Sequence, residues 1–385
     1  MKAGKSGRRF LIMLLCLIGV AVSTEGQAGG RRDPLQLSLV FVGDFQIGYG
    51  NWQATKDKNP SSANIPQLRQ TMLDIKQLHL GRALGVFTGD LVMNMIDDQG
   101  QVLKVQLNAW QETYASLAKP KGMPLLPMAG NHEIDVDDVT VNAEEPSPFM
   151  YDVWLDWFAD NGYARFSGNG PRPTKANPDR LVRNERDMTY SFDSDGNHFV
   201  IINTDTLSTE IDPGTGLPYT GWIPIHWIER DIAAAEKNPR VSAIIVIGHR
   251  PIEAPTYAPP APGTTILDTA AYPWATRLSD ALRKNRKVRA YLCSHSHAWE
   301  AFRLQQGKGV SQLLAGNGGA GLDAAWQPEG GQYFGFSLLN IYQSGMITVL
   351  DYGRALPPPP QQFFEDQPVP PQAATLRHQL TLARH

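Results

Sequence analysis

Cysteine is nearly missing from this chain: Cys16 and Cys293 are the only two among 385 residues. Long apolar runs are as scarce, the one near the start spanning thirteen residues from Phe10 to Val22. A helix needs about 20 to cross a bilayer core, so no stable membrane anchor is expected. Charge of one sign is lacking too, with 35 Lys and Arg against 38 Asp and Glu and a formal net charge of −3. Such a surface has no global attraction for nucleic acid or an anionic membrane. No internal repeat is visible, and 42% hydrophobic with 19% charged residues is a globular composition.

The setting of the short apolar run gives it another meaning. Lys2, Lys5, Arg8 and Arg9 precede it, and the small residues of Gly26-Gln27-Ala28-Gly29 follow. This is the shape of a secretory signal peptide over residues 1–28, cleaved near Ala28, and the expected address is secreted or periplasmic. Arg8-Arg9 partly matches a twin-arginine export signal, although a plain basic start is the simpler reading. Cleavage would remove Cys16, which leaves Cys293 no partner for an intrachain disulfide. It would also move the formal charge from −3 to −6 by taking four cations and Glu25.

What the chain does possess is a set of five short pieces: Gly43-Asp44-Phe45-Gln46, Gly89-Asp90, Gly130-Asn131-His132-Glu133, Gly248-His249-Arg250-Pro251 and Ser294-His295-Ser296-His297. Each follows an apolar run, so each reads as a loop at the carboxyl end of a buried strand. Ligand sites of α/β sheets lie at that edge. Together they offer the carboxylates of Asp44 and Asp90, the amides of Gln46 and Asn131, and the imidazoles of His249, His295 and His297. This mixture of oxygen and nitrogen donors suits two divalent cations sharing one carboxylate, and Asp90 is the candidate for the shared group.

In order and chemistry the pieces resemble the calcineurin-like metallophosphoesterases, whose pattern runs Asp-x-His, Gly-Asp, Gly-Asn-His-Asp/Glu, Gly-His and Gly-His-x-His. The resemblance spans roughly Leu37 to Asp351. It implies a four-layer α/β/β/α sandwich of two mixed sheets flanked by helices. Two departures stand out: Gln46 occupies the place of a histidine, and Ser294 replaces the glycine before His295. An Asp-x-Gln start is similar to the branch containing manganese-dependent ADP-ribose/CDP-alcohol diphosphatases. Met93 stands where the purple acid phosphatase branch would have tyrosine.

By this resemblance Asp90 bridges two ions, with Asp44, Gln46 and His297 around the first and Asn131, His249 and His295 around the second. Mn is the favoured ion, with Fe, Zn or Mg as alternatives. His132 would stand on the leaving-group side and protonate or stabilise the departing oxygen. The implied reaction is hydrolysis of a phosphate ester or diphosphate by a hydroxide held between the metals. The implied substrate is a small phosphorylated molecule or a nucleotide-like diphosphate. A metal-binding protein without turnover and an interaction module on the same fold are the alternatives. Glu133 reads as a carboxylate orienting an imidazole, Arg250 as a holder of a phosphate oxygen or an ion-pair partner, and Cys293 as a buried strand residue.

Between the pieces, apolar residues at Ile65, Leu68, Met72, Ile75 and Leu78 recur at helical spacing. Strands are expected over 83–87 and 124–128, with a helix over 102–117 between them, a rhythm that argues for a layered α/β domain. Residues 168–187 read as a surface insertion, 190–192 and 198–203 as a hairpin, and 223–236 as a helix. The runs 241–247 and 288–293 carry the histidine loops, while 310–314, 335–341 and 346–350 look like strands of a second sheet. Loops 49–64, 134–148, 165–189 and 253–273 would shape the substrate pocket, the last made rigid by its prolines. The catalytic domain is expected over 34–353, followed by an unstructured proline-rich tail over 354–385.

Overall fold

A computed structural model of the protein describes residues 33–48, 63–96, 98–116, 123–256, 273–307, 309–322, 328–354 and 371–382. The expected signal peptide, the loop with Tyr49 and Trp52, most of the proline-rich rim and the four consecutive prolines lie outside the described residues. Everything that follows belongs to the compact unit that begins at Pro34.

In chain order the first half contains β1 (Leu35–Val42), α1 (Ile65–Gln77), β2 (Ala83–Phe87), α2 (Gln101–Trp110), β3 (Leu125–Pro127), the single turn α3 (Asn131–Ile134), β4 (Asp135–Asp138), β5 (Ala143–Pro146) and α4 (Pro148–Asp160). The second half contains β6 (Tyr190–Ser194), β7 (Asn197–Ile202), α5 (Ile225–Lys237), β8 (Ala243–Gly248), α6 (Trp274–Lys284), β9 (Val288–Cys293), β10 (Trp299–Arg303), the short α7 (Leu304–Gly307), β11 (Ser311–Ala315), β12 (Gly335–Tyr342), β13 (Ile347–Gly353) and β14 (Thr375–Leu382). The first sheet runs β14-β13-β12-β1-β2-β3 and the second β10-β11-β9-β8-β7-β6, while β4 and β5 form a separate hairpin. Both large sheets are mixed, with β1, β2 and β3 parallel in one and β7, β8, β9 and β11 parallel in the other.

Alternation along the strands explains how the layers stack. Ile245 and Ile247 of β8 and Leu292 of β9 join Leu39, Phe41 and Val86 of the first sheet in one apolar cluster. Their neighbours Ile244, Val246, Tyr291 and Cys293 face the other way, against Ile228 and Ile232 of α5 and Leu278 and Leu282 of α6. A period of two therefore places one face of each strand in the seam between sheets and the other under helices. Fully buried parallel strands need apolar side chains on both faces, and all six residues of β8 are buried. Helix α1 starts where the Asn64 side chain accepts the Gln67 N–H at 3.2 Å, with proline in its first turn.

The structure differs from the sequence reading in three places. Strands β12 and β13 return to the first sheet, with β12 antiparallel to β1, and only β11 of the three late runs lies in the second sheet. The tail is structured at its far end: β14 pairs antiparallel with β13 from Ile347↔Leu382 to Gly353↔Thr375. Arg354, placed at the start of that tail, is buried and donates to the Asp74 carboxylate at 2.8 Å and to Gln67 Oε1 at 2.7 Å. The loop over 134–148 also holds the hairpin β4–β5. As expected, β6 and β7 form a hairpin, turning at Asp195-Gly196 with φ of 53° and 70°, the left-handed pair that matches strand twist.

A candidate dinuclear metal centre

The five loops converge where the two sheets meet at their carboxyl ends. Three of them place a non-glycine residue in the left-handed region: Asp44 at φ 56° and Gln46 at 45°, Asp90 at 53°, and His295 at 71°. Such backbone costs about 1–3 kcal/mol per residue and persists where surroundings enforce it. Here Phe45 and Gln46 both donate backbone N–H to Asp90 O, at 2.8 and 2.9 Å, which locks the first loop onto the second. Gly130 has no alternative residue, since a Cβ there would lie 2.2 Å from Asp90 Oδ1.

Asp90 is the hub. Its Oδ1 lies 3.2 Å from His249 Nε2 and accepts the His132 N–H at 3.2 Å, while Oδ2 accepts Gln46 Nε2 at 3.2 Å. Asn131 Oδ1 stands 3.0 Å from both His249 Nε2 and His295 Nδ1. Asp44 Oδ2 accepts the His295 N–H at 2.8 Å, and His297 Nε2 lies 3.1 Å from Gln46 Nε2 and 3.7 Å from Asp44 Oδ1. All seven expected residues are thus brought together, with Gln46 turning its amide nitrogen to Asp90 and His297. Asp90, His249 and His295 each present a ligand atom within 4.8 Å of the others'.

The tautomers suit a cation. A carbonyl can only accept, so His249 donates from Nδ1 to Thr88 O at 2.8 Å and His297 donates from Nδ1 to Gly321 O at 2.6 Å. In the neutral ring each leaves Nε2 with a lone pair facing the centre, the arrangement that second-layer carbonyls impose on metal-binding imidazoles. Burial pulls His249 down, yet the Asp90 carboxylate outweighs it and holds the imidazole at about 9. Burial likewise pushes Asp90 up, and His249 and His132 overcome it to hold the carboxylate well below its usual range. His295 is held neutral by burial, by Arg250 and by His249 together.

Further residues define the surroundings. Glu133 orients no imidazole; its carboxylate accepts the backbone N–H of Gly130 at 2.7 Å, Asp90 at 3.0 Å and Val92 at 3.0 Å, tying the second loop to the third. Burial and the Asp90 charge push it up to about 7. Arg250 takes the ion-pair role: its Nε donates to Asp205 Oδ1 at 2.8 Å, its Nη2 lies 3.5 Å from Asp135 Oδ2, and its Nη1 sits 3.3 Å from His295 Nε2. Asp205 was missed in the sequence, although it follows the end of β7 as the other loops follow theirs. Ser294, noted there only as a departure, donates from Oγ to Thr88 O at 2.7 Å and lies 3.0 Å from His249 Nδ1. Cys293 is buried in β9 as its neighbours implied.

His132 stands apart from this ligand set. Its Nδ1 donates to Met93 O at 2.6 Å, and its Nε2 lies 3.7 Å from Asp90 Oδ2, partly open to solvent.

Comparison with known proteins agrees with this architecture. The sequence matches the family described as Calcineurin-like phosphoesterase over residues 37–299, and the chain belongs to that family. Among solved structures, PhoD is similar at 10% identity with a TM-score of 0.56, covering 91% of this chain and 70% of that one. A dimetal phosphatase from Danio rerio is 11% identical, with a TM-score of 0.49 over 83% of this chain and 97% of its own. GAP50, the anchor in the inner membrane complex of Plasmodium, is 16% identical, with a TM-score of 0.46 over 83% and 85%. At 10% identity the likeness to PhoD is one of fold. No curated protein matches the sequence.

Proposed function

We propose that this protein is a secreted or periplasmic phosphoesterase that uses two divalent ions, with Mn favoured, to hydrolyse a small phosphate ester or a nucleotide-like diphosphate. The observation that carries the reading is the meeting of Asp90, His249 and His295 around Asn131, with their ligand atoms within 4.8 Å of one another. Asp44, Gln46 and His297 would hold the first ion, Asn131, His249 and His295 the second, and Asp90 both. When bound, the ions neutralise phosphate oxygens and lower the pKa of an attacking water.

The chain's own residues do the rest. Asp90 is held by the first and third loops, and Glu133 ties the second loop to the third through three backbone donors. His132 keeps Nδ1 on Met93 O, so a proton gained at Nε2 is available to a leaving oxygen. No helix among the described residues is long and apolar enough to cross a membrane. The basic start, apolar run and small-residue stretch of residues 1–29 support export.

Gln46 supports the diester and diphosphate end of the substrate range, because it gives the chain the Asp-x-Gln start of the manganese-dependent diphosphatase branch. An amide is also a harder, weaker donor than imidazole and suits Mn or Mg. The test is turnover of a nitrophenyl phosphate, a bis-nitrophenyl phosphate and a nucleoside-diphosphate ester with Mn, Mg, Zn and Fe in turn. Turnover that depends on added metal and is greatest with Mn on the diester or diphosphate is expected. Failure of all three substrates with every ion would overturn the enzymatic reading.

A further inference from the structure

Away from the catalytic loops, the irregular segment 168–187 and helix α5 enclose a cleft of about 460 Å³. Its walls carry three guanidinium groups, Arg172 and Arg186 from the segment and Arg230 from the helix, together with the Trp227 ring. Trp227 and Arg230 are three residues apart on α5 and so share one face. The one carboxylate in the lining, Asp179, is occupied: it accepts the N–H groups of His226 at 2.7 Å and Trp227 at 3.2 Å. Among the described residues Arg172 forms no ion pair, and Arg230 meets only the field of Asp179. The cleft is therefore cationic in a chain whose acidic residues outnumber its basic ones, 38 to 35.

The walls are fixed before any ligand arrives. Gly168 N–H donates to Arg186 O at 2.8 Å and Glu185 N–H to Pro171 O at 2.9 Å. Asn169 is held at both ends of its amide by Ser191, donating to Ser191 O at 2.9 Å and accepting Ser191 N–H at 3.0 Å. At Gly170 a Cβ would fall 1.6 Å from Thr189 O, so the backbone can press there only as glycine. A preformed backbone leaves only the exposed arginine side chains to be ordered on binding.

From this we propose that the cleft binds a phosphate monoester that carries a planar ring, the class of the nucleoside monophosphates. Three arginines against one occupied carboxylate suit a dianion, which guanidinium groups recognise by paired, charge-assisted hydrogen bonds. The cleft has room for more than the anion alone, its volume being that of on the order of fifteen waters at about 30 Å³ each. Pro171, Pro178 and Trp227 supply apolar and aromatic wall for a ring to lie against. No residue of the metal centre takes part.

The experiment is a calorimetric titration of the full chain with adenosine 5′-phosphonate, in which a methylene replaces the ester oxygen so that no phosphoesterase cleaves it. Adenosine and inorganic phosphate are the comparison probes. Saturable binding is expected, weakened by salt, with both comparison probes at least tenfold weaker. Arg172→Ala with Arg230→Ala should weaken the phosphonate about tenfold or more while leaving turnover of a nitrophenyl phosphate unchanged. Trp227→Ala should act on the phosphonate but not on inorganic phosphate. Binding that survives the paired arginine change and disappears in Asp90→Ala would put the ligand in the metal centre alone and overturn the proposal. Equal affinity for adenosine, or no saturable binding, would overturn it as well.

Discussion

The two sheets contribute unlike halves to one site. Loops of the first sheet bring oxygen: Asp44, Gln46, Asp90 and Asn131, three of them in left-handed backbone. Loops of the second bring nitrogen: His249, His295 and His297, of which only His295 has positive φ. The oxygen side is held by backbone hydrogen bonds between neighbouring loops, whereas His249 and His297 are each aimed by a carbonyl. One of those carbonyls crosses the seam, because Thr88 at the end of β2 orients His249 at the end of β8. The short donors on the first sheet need strained backbone to reach the centre, and the longer imidazoles need a second contact to fix their rotation. Neither half is complete without the other.

Removing the shared group should break the comparison most severely. Asp90→Ala takes away the carboxylate that meets both Gln46 and His249, which on the proposed reading leaves two cations to repel each other. Elemental analysis should show both ions lost and turnover at background; two tightly retained ions would mean that Asp90 bridges nothing. His132→Ala tests a residue that belongs to neither half. Metal content should remain, and turnover should fall by about 10²–10⁴-fold on an alkyl ester. The loss should be much smaller on a nitrophenyl ester, whose leaving group needs little protonation, and equal losses would speak against a leaving-group role.

The seam itself can be strained from one side and relieved from the other. A Cβ on Gly43, in the first sheet's loop, would lie 2.5 Å from Ser294 Oγ and 2.6 Å from Thr88 Oγ1. Gly43→Ala should therefore destabilise the fold by about 1–3 kcal/mol, read from urea midpoints. Adding Ser294→Gly should restore part of the loss, and strictly additive effects would show that the two sides do not touch. The smallest effect is expected away from the site. Burial pushes Asp351 on β13 up to about 8, protonated beside Tyr333 and Ser337. A raised carboxyl contributes fully below its unfolded value of about 3.9, and that contribution declines as pH rises through about 8. Asp351→Asn should flatten the fall in urea midpoint between pH 5 and 8.5; an unchanged slope would place the titration elsewhere.

Much of this could be read from the chain because each catalytic piece sits directly after a buried strand. Glycine and a short polar residue there signal a turn at a sheet edge, and the imidazoles complete the donor set. Partnership between strands carried no such signal. The run at 335–341 is apolar whichever sheet it joins, so its return to β1 was invisible. β14 escaped because an exposed edge strand mixes Arg377, His378 and Gln379 with its apolar residues and follows a proline-rich stretch. The role of Glu133 was misread for a similar reason. A carboxylate beside a histidine suggests an imidazole partner, and only three-dimensional structure reveals that backbone donors from its own loop and from the second loop claim it first.

The pairing of β1 with β12 also sets a timetable for the molecule's making. Ser38 Oγ donates to Asn340 Oδ1, a contact between residues 302 positions apart. On the ribosome, β1 must wait for all of those intervening residues before that neighbour exists. Contacts this distant slow folding and prolong the exposure of unpaired strand edges. The same wait applies to ion capture, since Asp44 emerges long before His297 and the Gly321 carbonyl that aims it. Fragments that end before His249 hold the oxygen donors alone, so on the proposed reading selection of a metal would wait until the histidine loops are made and folded.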